Sequence, residues 1–290
     1  TAVNRFGIKT TNYEAGDAEL LVTRTGPTSV GVDGILSYQG GIINSSLTPV
    51  YTNATMTFVN GVYTSTTTKY SEVGLLSLNF RDYNYGNLGD PNRIIINTDT
   101  LNIGRFTPAY FKQTVSETGS LTGTCGTNWA YSGEMNGSVG AINYDTVPEL
   151  TITAYNNDGQ ITRNYRDDGS ANDDYIKLTN SSVSYTQPTE DVKNGKLSQP
   201  LGLTANMTNV SNPYTLIDGG EITYRFNPLD HFVYLHNTNS NIAPFNANFI
   251  ITIDGVIDTD NISAAPVDLT DVDLNSSLEV RFGRLLLENS

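Results

Sequence analysis

Phe249-Ile250-Ile251-Thr252-Ile253, followed at once by Asp254-Gly255, is the stretch on which the fold turns. An aromatic and a run of β-branched residues favour extended backbone, and Asp-Gly predicts a tight turn behind them. The same unit recurs along the chain. Leu20-Leu21-Val22-Thr23, Met56-Thr57-Phe58-Val59, Leu75 to Phe80, Ile94-Ile95-Ile96, Leu150 to Tyr155, Tyr175 to Leu178 and Leu278 to Phe282 all read as short strands. Several alternate apolar and polar residues, the pattern of a half-buried strand. Asn60-Gly61, Asp158-Gly159, Asp168-Gly169 and Asn194-Gly195 supply turn signals between them. Asp268 to Leu278 is the best helical candidate, and it is short and rich in β-formers. The pattern predicts an all-β protein of tandem immunoglobulin-like β-sandwich domains.

Two domains fit 290 residues. A boundary is expected at Asn102-Ile103-Gly104-Arg105-Phe106-Thr107-Pro108, where a strand runs into Gly and Pro. It gives a first domain over 1–103 and a larger second one, with long loops, over 104–290. The polar stretch from Gln187 to Pro200 reads either as a loop of that second domain or as a further division.

Hydrophobic residues make up 38% of the chain, and 17 Tyr and 10 Phe are enough to fill thin sandwich cores. Only 16% are charged, so Asn, Thr, Ser and Gly must dominate the surface, as in secreted β proteins. The net charge of −14 would repel nucleic acid and anionic membrane surfaces. No apolar run approaches the ~20 residues of a membrane span. The chain opens on Thr1 and reads as an excerpt of a longer precursor.

Few residues suit catalysis. His231 and His236 lie five apart in an apparent strand, so their side chains face opposite sides and share no metal. Cys125, the lone cysteine, excludes an internal disulfide and a multi-cysteine metal site. It is either a small buried side chain or half of a disulfide with a partner elsewhere. Trp129 reads as a core residue. No Gly-x-Ser-x-Gly elbow or phosphate loop occurs, and a non-enzymatic role is expected.

Acidic clusters allow a metal reading. Calcium takes six to eight oxygens from flexible loops. Asp254, Asp258 and Asp260 are the leading candidate ligands, because Asp258 and Asp260 share a face in extended chain and a divalent cation would relieve their repulsion. Asp167, Asp168, Asp173 and Asp174 form the alternative loop, with Gly169 able to fold it back. Asp271-Val272-Asp273-Leu274-Asn275 begins like an EF-hand loop and then fails, with Ser276 in place of the Gly. All these acids read equally as solvated loop residues.

A series of motifs carries a family resemblance. Tyr70-Ser71-Glu72-Val73-Gly74 is similar to a "YSEVG" stretch of a bacterial surface-protein family. Gly104-Arg105-Phe106-Thr107-Pro108-Ala109-Tyr110-Phe111 resembles its "GRF-x-P-x-x-F". Thr162-Arg163-Asn164-Tyr165 follows in order, and Arg281-Phe282-Gly283-Arg284-Leu285 resembles the "RFGRL" near its end. The family is the MshQ-like group of the mannose-sensitive haemagglutinin type IV pilus cluster, and the matched part is its carboxyl-proximal domain of unknown function. Leu286 stands where a basic residue is usual, and the chain stops at Ser290 before the family's "AYG", which suggests truncation. The resemblance implies a location at the cell surface or outside a Gram-negative cell. The implied partners are other domains of the same protein or a pilus.

The expected function is therefore a non-catalytic structural or adhesion module. The alternative is a carbohydrate-binding or carbohydrate-active sandwich, since the Tyr-rich, Asp-rich composition is one that glycan-binding sandwiches share. Surface glycans are its implied ligands.

Overall fold

The computed structural model describes residues 1–123, 125, 128–131, 141–167, 175–189, 201–236, 243–264, 270–274 and 276–281. Among them every regular element is a β-strand. The protein is all-β, as its alternating pattern predicts. No helix among the described residues is long and apolar enough to cross a membrane. The chain divides into two compact units: Thr1–Ala109 with Ala154–Ile176, and Tyr110–Thr153 with Lys177–Ser290.

The first unit contains β1 (Ala18–Gly26), β2 (Ile35–Tyr38), β3 (Gly41–Asn44), β4 (Thr52–Asn53), β5 (Lys69–Tyr70), β6 (Gly74–Tyr85), β7 (Ile94–Asn97) and β8 (Leu101–Phe106). One sheet runs β4-β1-β6-β7, with β8 also on β6; the other runs β3-β2-β5. Leu20 and Val22 of β1 and Leu76 of β6 meet Leu36 and Ile43 of the smaller sheet in one core. Two sheets packed through alternating inward residues make the sandwich arrangement. Asn60-Gly61 forms the expected hairpin turn: Val59 bridges Val62, and both turn residues have positive φ, 50° and 68°, the conformation that Asn and Gly tolerate.

Polar contacts tie the returning segment 154–176 into this unit. Asn164 is fully buried. Its side chain accepts from Val32 N at 2.7 Å and donates to Val32 O at 3.0 Å. Its own N–H donates to Glu72 Oε2 at 3.0 Å. Asn156 donates to Ser71 O, and Lys69 pairs with Asp158 at 2.8 Å.

The second unit begins with β9 (Tyr110–Glu117), β10 (Ser120–Gly123), β11 (Trp129–Tyr131), β12 (Ile142–Thr146) and β13 (Glu149–Tyr155). It continues with β14 (Val183–Thr186), β15 (Leu201–Asn206), β16 (Tyr214–Asp218), β17 (Glu221–Arg225) and β18 (His231–His236). The last described strands are β19 (Phe245–Asn246), β20 (Phe249–Val256), β21 (Thr270–Leu274) and β22 (Glu279–Arg281). Four short sheets result, ordered β10-β12-β18-β15, β16-β17-β13-β9, β14-β20-β21 and β11-β22-β19. Phe249, Ile251 and Ile253 of β20 and Val272 and Leu274 of β21 are fully buried, and Phe249 packs on Phe232 with ring centroids 4.6 Å apart.

Asp254-Gly255 does not turn the chain. Strand β20 continues through both residues to Val256. Against β14, Ile253 pairs with Tyr185 and Gly255 with Ser184, which leaves Asp254 as the extra residue of a β-bulge. Pairing of Gly255 and Val256 with β14 holds the dipeptide in the sheet. Within Asp268 to Leu278, the best helical candidate but rich in β-formers, Thr270–Leu274 forms strand β21.

Candidate functional site

The first unit carries an aromatic cleft of about 690 Å³. The amino-terminal segment forms one side: Ala2 N donates to Gly61 O at 2.7 Å and Thr10 N to Ala2 O at 3.0 Å. Phe58 precedes the hairpin turn, and Phe80 and Tyr85 come from β6. Tyr13 sits edge-on to Phe58 at 4.9 Å and lies nearly parallel to Tyr85 at 6.1 Å. Phe58 also contacts Tyr63 and Phe80, both with centroids near 6 Å.

Asp82 fixes the Tyr13 ring. This carboxylate is fully buried. It accepts from Tyr13 OH at 3.0 Å and from the backbone N–H groups of Gly16 and Asp17 at 3.1 Å each. Burial, then the hydrogen bond to Asp82, pushes the Tyr13 phenol well above its ordinary range. Tyr13 therefore stays a neutral donor. On β6, Arg81 pairs with Glu19 and lies 3.8 Å over the Tyr51 ring and 4.7 Å over Tyr83. Arg93 covers Tyr83 at 4.2 Å. These cations are stacked on aromatic faces.

The second unit holds a buried carboxyl that sequence reasoning missed. Asp230 is 1% exposed. Its Oδ1 accepts from Thr208 N at 2.8 Å, and its Oδ2 is buried with no partner. Burial pushes the carboxyl up to about 7. Strand β12 pairs with β18 through Ile142–Phe232 and Asn143–His231, so the next register position sets Tyr144 opposite Asp230. The Tyr144 hydroxyl is likewise buried and unpartnered. Burial, then the nearby Asp230, pushes the Tyr144 phenol well up. No local motif marks Asp230; its signal is the β12–β18 register.

The acids singled out in the sequence lie as follows. Asp254 is exposed on β20 and accepts from Thr186 Oγ1 at 3.1 Å. Asp258 is buried, and its Oδ1 accepts from the N–H groups of Asp260 and Ile262 at 2.9 Å each. That is an Asx turn. Asp271 accepts from Thr252 Oγ1 at 2.9 Å. Among the described residues no three His, Cys, Asp or Glu side chains converge as a metal site needs. Asp167 is exposed; Asp168, Asp173 and Asp174 lie outside the described residues. Cys125 is buried. His231 and His236 bracket β18, and His231 Nε2 lies 3.4 Å from Asn206 Nδ2. Trp129 is half-buried, not a full core residue, with Arg281 4.9 Å over its ring.

The fold defines an all-β protein of two compact units. Residues 72–281 match the family described as DUF6701, third domain, and the chain belongs to that family. No curated protein matches the chain, and no solved structure does.

Proposed function

We propose that this chain is a non-catalytic structural and adhesion module of a bacterial surface protein. The observation that carries the reading is how three of its buried acids are used. Asp82, Glu72 and Asp258 each accept from backbone N–H groups, so they serve to hold loops on β-scaffolds. Membership in a family described as a third domain supports a place among several domains of a longer protein. The motifs shared with the MshQ-like group support immunoglobulin-like sandwiches at the Gram-negative surface in a pilus context. Deleting residues 1–290 from the parent tests the proposal. The expected result is lost adhesion with the remaining domains still displayed at the surface. Unchanged adhesion with normal display would sink it.

A second reading, carbohydrate binding by the same module, is favoured by the aromatic cleft of the first unit. Aromatic faces bordered by neutral hydrogen-bonding side chains suit the two faces of a sugar ring.

A further inference from the structure

We infer that the cleft between the amino-terminal segment and strand β6 is a site for a neutral saccharide, which deepens the carbohydrate-binding reading and rests on it. Its volume of about 690 Å³ falls within the few hundred to about a thousand Å³ of small-ligand sites.

The aromatic side is prearranged. Tyr13 is clamped by the buried Asp82 and braced by Phe58. Tyr85, 40% exposed, is the outer ring of the Tyr13–Tyr85 pair and offers a stacking face. Stacking on a ring already held in place costs little ordering entropy.

The polar side calls for a hydroxyl. Tyr63 lines both this cleft and a neighbouring cavity of about 450 Å³. Its phenolic oxygen is buried with no hydrogen-bond partner. A buried hydroxyl left unsatisfied costs roughly 1–3 kcal/mol. This oxygen is closed to a water-sized group in the unliganded cleft, so a shift of the Tyr63 ring on binding is what brings it to a ligand hydroxyl and recovers that cost. Thr98 and Asn97 add neutral donors and acceptors at the rim.

Charge narrows the class. Among the described residues Asp99 is the one charged side chain lining the cleft, and the whole chain carries −14. Both disfavour sialylated, sulfated or phosphorylated ligands and leave neutral sugars.

The test is an array of neutral hexose- and N-acetylhexosamine-terminated oligosaccharides beside sialylated and sulfated counterparts, with calorimetry on the hits. Saturable binding confined to the neutral set is expected. Tyr85→Ala should weaken it by about tenfold, the scale of one aromatic contact. Tyr63→Phe separates binding from folding: loss of an unsatisfied hydroxyl should leave the melting temperature unchanged or raised, while affinity falls several-fold. Tyr131→Ala, an exposed aromatic of the second unit, should bind as the parent chain does. Absence of neutral-sugar binding overturns the inference, as does preference for anionic glycans or full affinity in both cleft variants. Adhesion lost on deleting the module but intact in a Tyr85→Ala parent would overturn the cleft assignment alone and leave the adhesion reading standing.

Discussion

Asp230 places a titratable group inside the second unit with one oxygen unpaired. Its carboxyl titrates near 7 in the fold, against an ordinary 3.8, because burial disfavours the charged form. The folded state therefore holds this proton more tightly than the unfolded chain. Its contribution is fully present below about pH 4, is lost as pH rises towards 7, and is flat above that. The slope in mid-window is at most about 1.4 kcal/mol per pH unit. Urea unfolding of the parent chain and Asp230→Asn from pH 4 to 8 checks this. The parent should lose stability across the window relative to the variant, whose amide oxygen keeps the bond from Thr208 N. Parallel profiles would mean that the carboxyl is already ionised. Asp82 is a buried side chain with donors in place on both oxygens. Asp82→Ala strands the Tyr13 hydroxyl and the backbone N–H groups of Gly16, Asp17 and Asn84, and should cost about 2–4 kcal/mol in denaturant unfolding. Asp82→Asn should cost less, since it keeps acceptor oxygen.

Among the elements, β20 and the Asn60-Gly61 hairpin are the most exposed to single changes. Ile251 lies at the middle of β20, fully buried and flanked by β14 and β21. Ile251→Ala should cost about 2–5 kcal/mol, the transfer term plus the cavity left behind. Gly61 is constrained twice. Its φ is +68°, and a Cβ there would sit 2.0 Å from the Thr10 carbonyl oxygen. Gly61→Ala should therefore cost more than the ~1 kcal/mol of a free turn, because backbone must move as well. The Thr10 carbonyl belongs to the segment that lines the cleft, so the same variant should also change the near-ultraviolet circular dichroism of the surrounding tyrosines. Loss of stability with an unchanged tyrosine signal would place the damage in the turn only.

Across the whole molecule, 30 acidic residues face 16 basic ones. Self-repulsion at −14 works against the compact state, and salt screens it over a Debye length of about 10 Å at 0.1 M. Calorimetric melting in increasing NaCl should show a rising melting temperature up to a few tenths molar. A falling temperature would mean that specific pairs such as Arg24–Asp33, 3.0 Å apart with the arginine buried, outweigh the net repulsion.

The alternation of apolar and polar residues determined that the chain is β throughout, because side chains two apart on a strand share a face whatever packs on it. Asn60-Gly61 determined its own turn, since few other residues tolerate positive φ at both positions. Burial was not legible from the same patterns. Ile94, Ile95 and Ile96 read as a strand as clearly as Ile250 to Ile253, yet they are 48%, 44% and 38% exposed. Among the described residues strand β7 pairs with β6 alone, whereas β20 has a strand on each side. Pairing with β14 also keeps Asp254-Gly255 extended. Leu150 to Tyr155 is one strand in sequence, but its residues up to Thr153 pair with β17 while Ala154 onward belongs to the first unit. That allocation rests on Asn164 and Asn156 meeting Val32 and Ser71, about 130 and 85 residues away. The cleft follows the same rule: Tyr13, Phe58 and Tyr85 come from three separate segments. Only the closing of β6 against the amino-terminal chain brings their rings together.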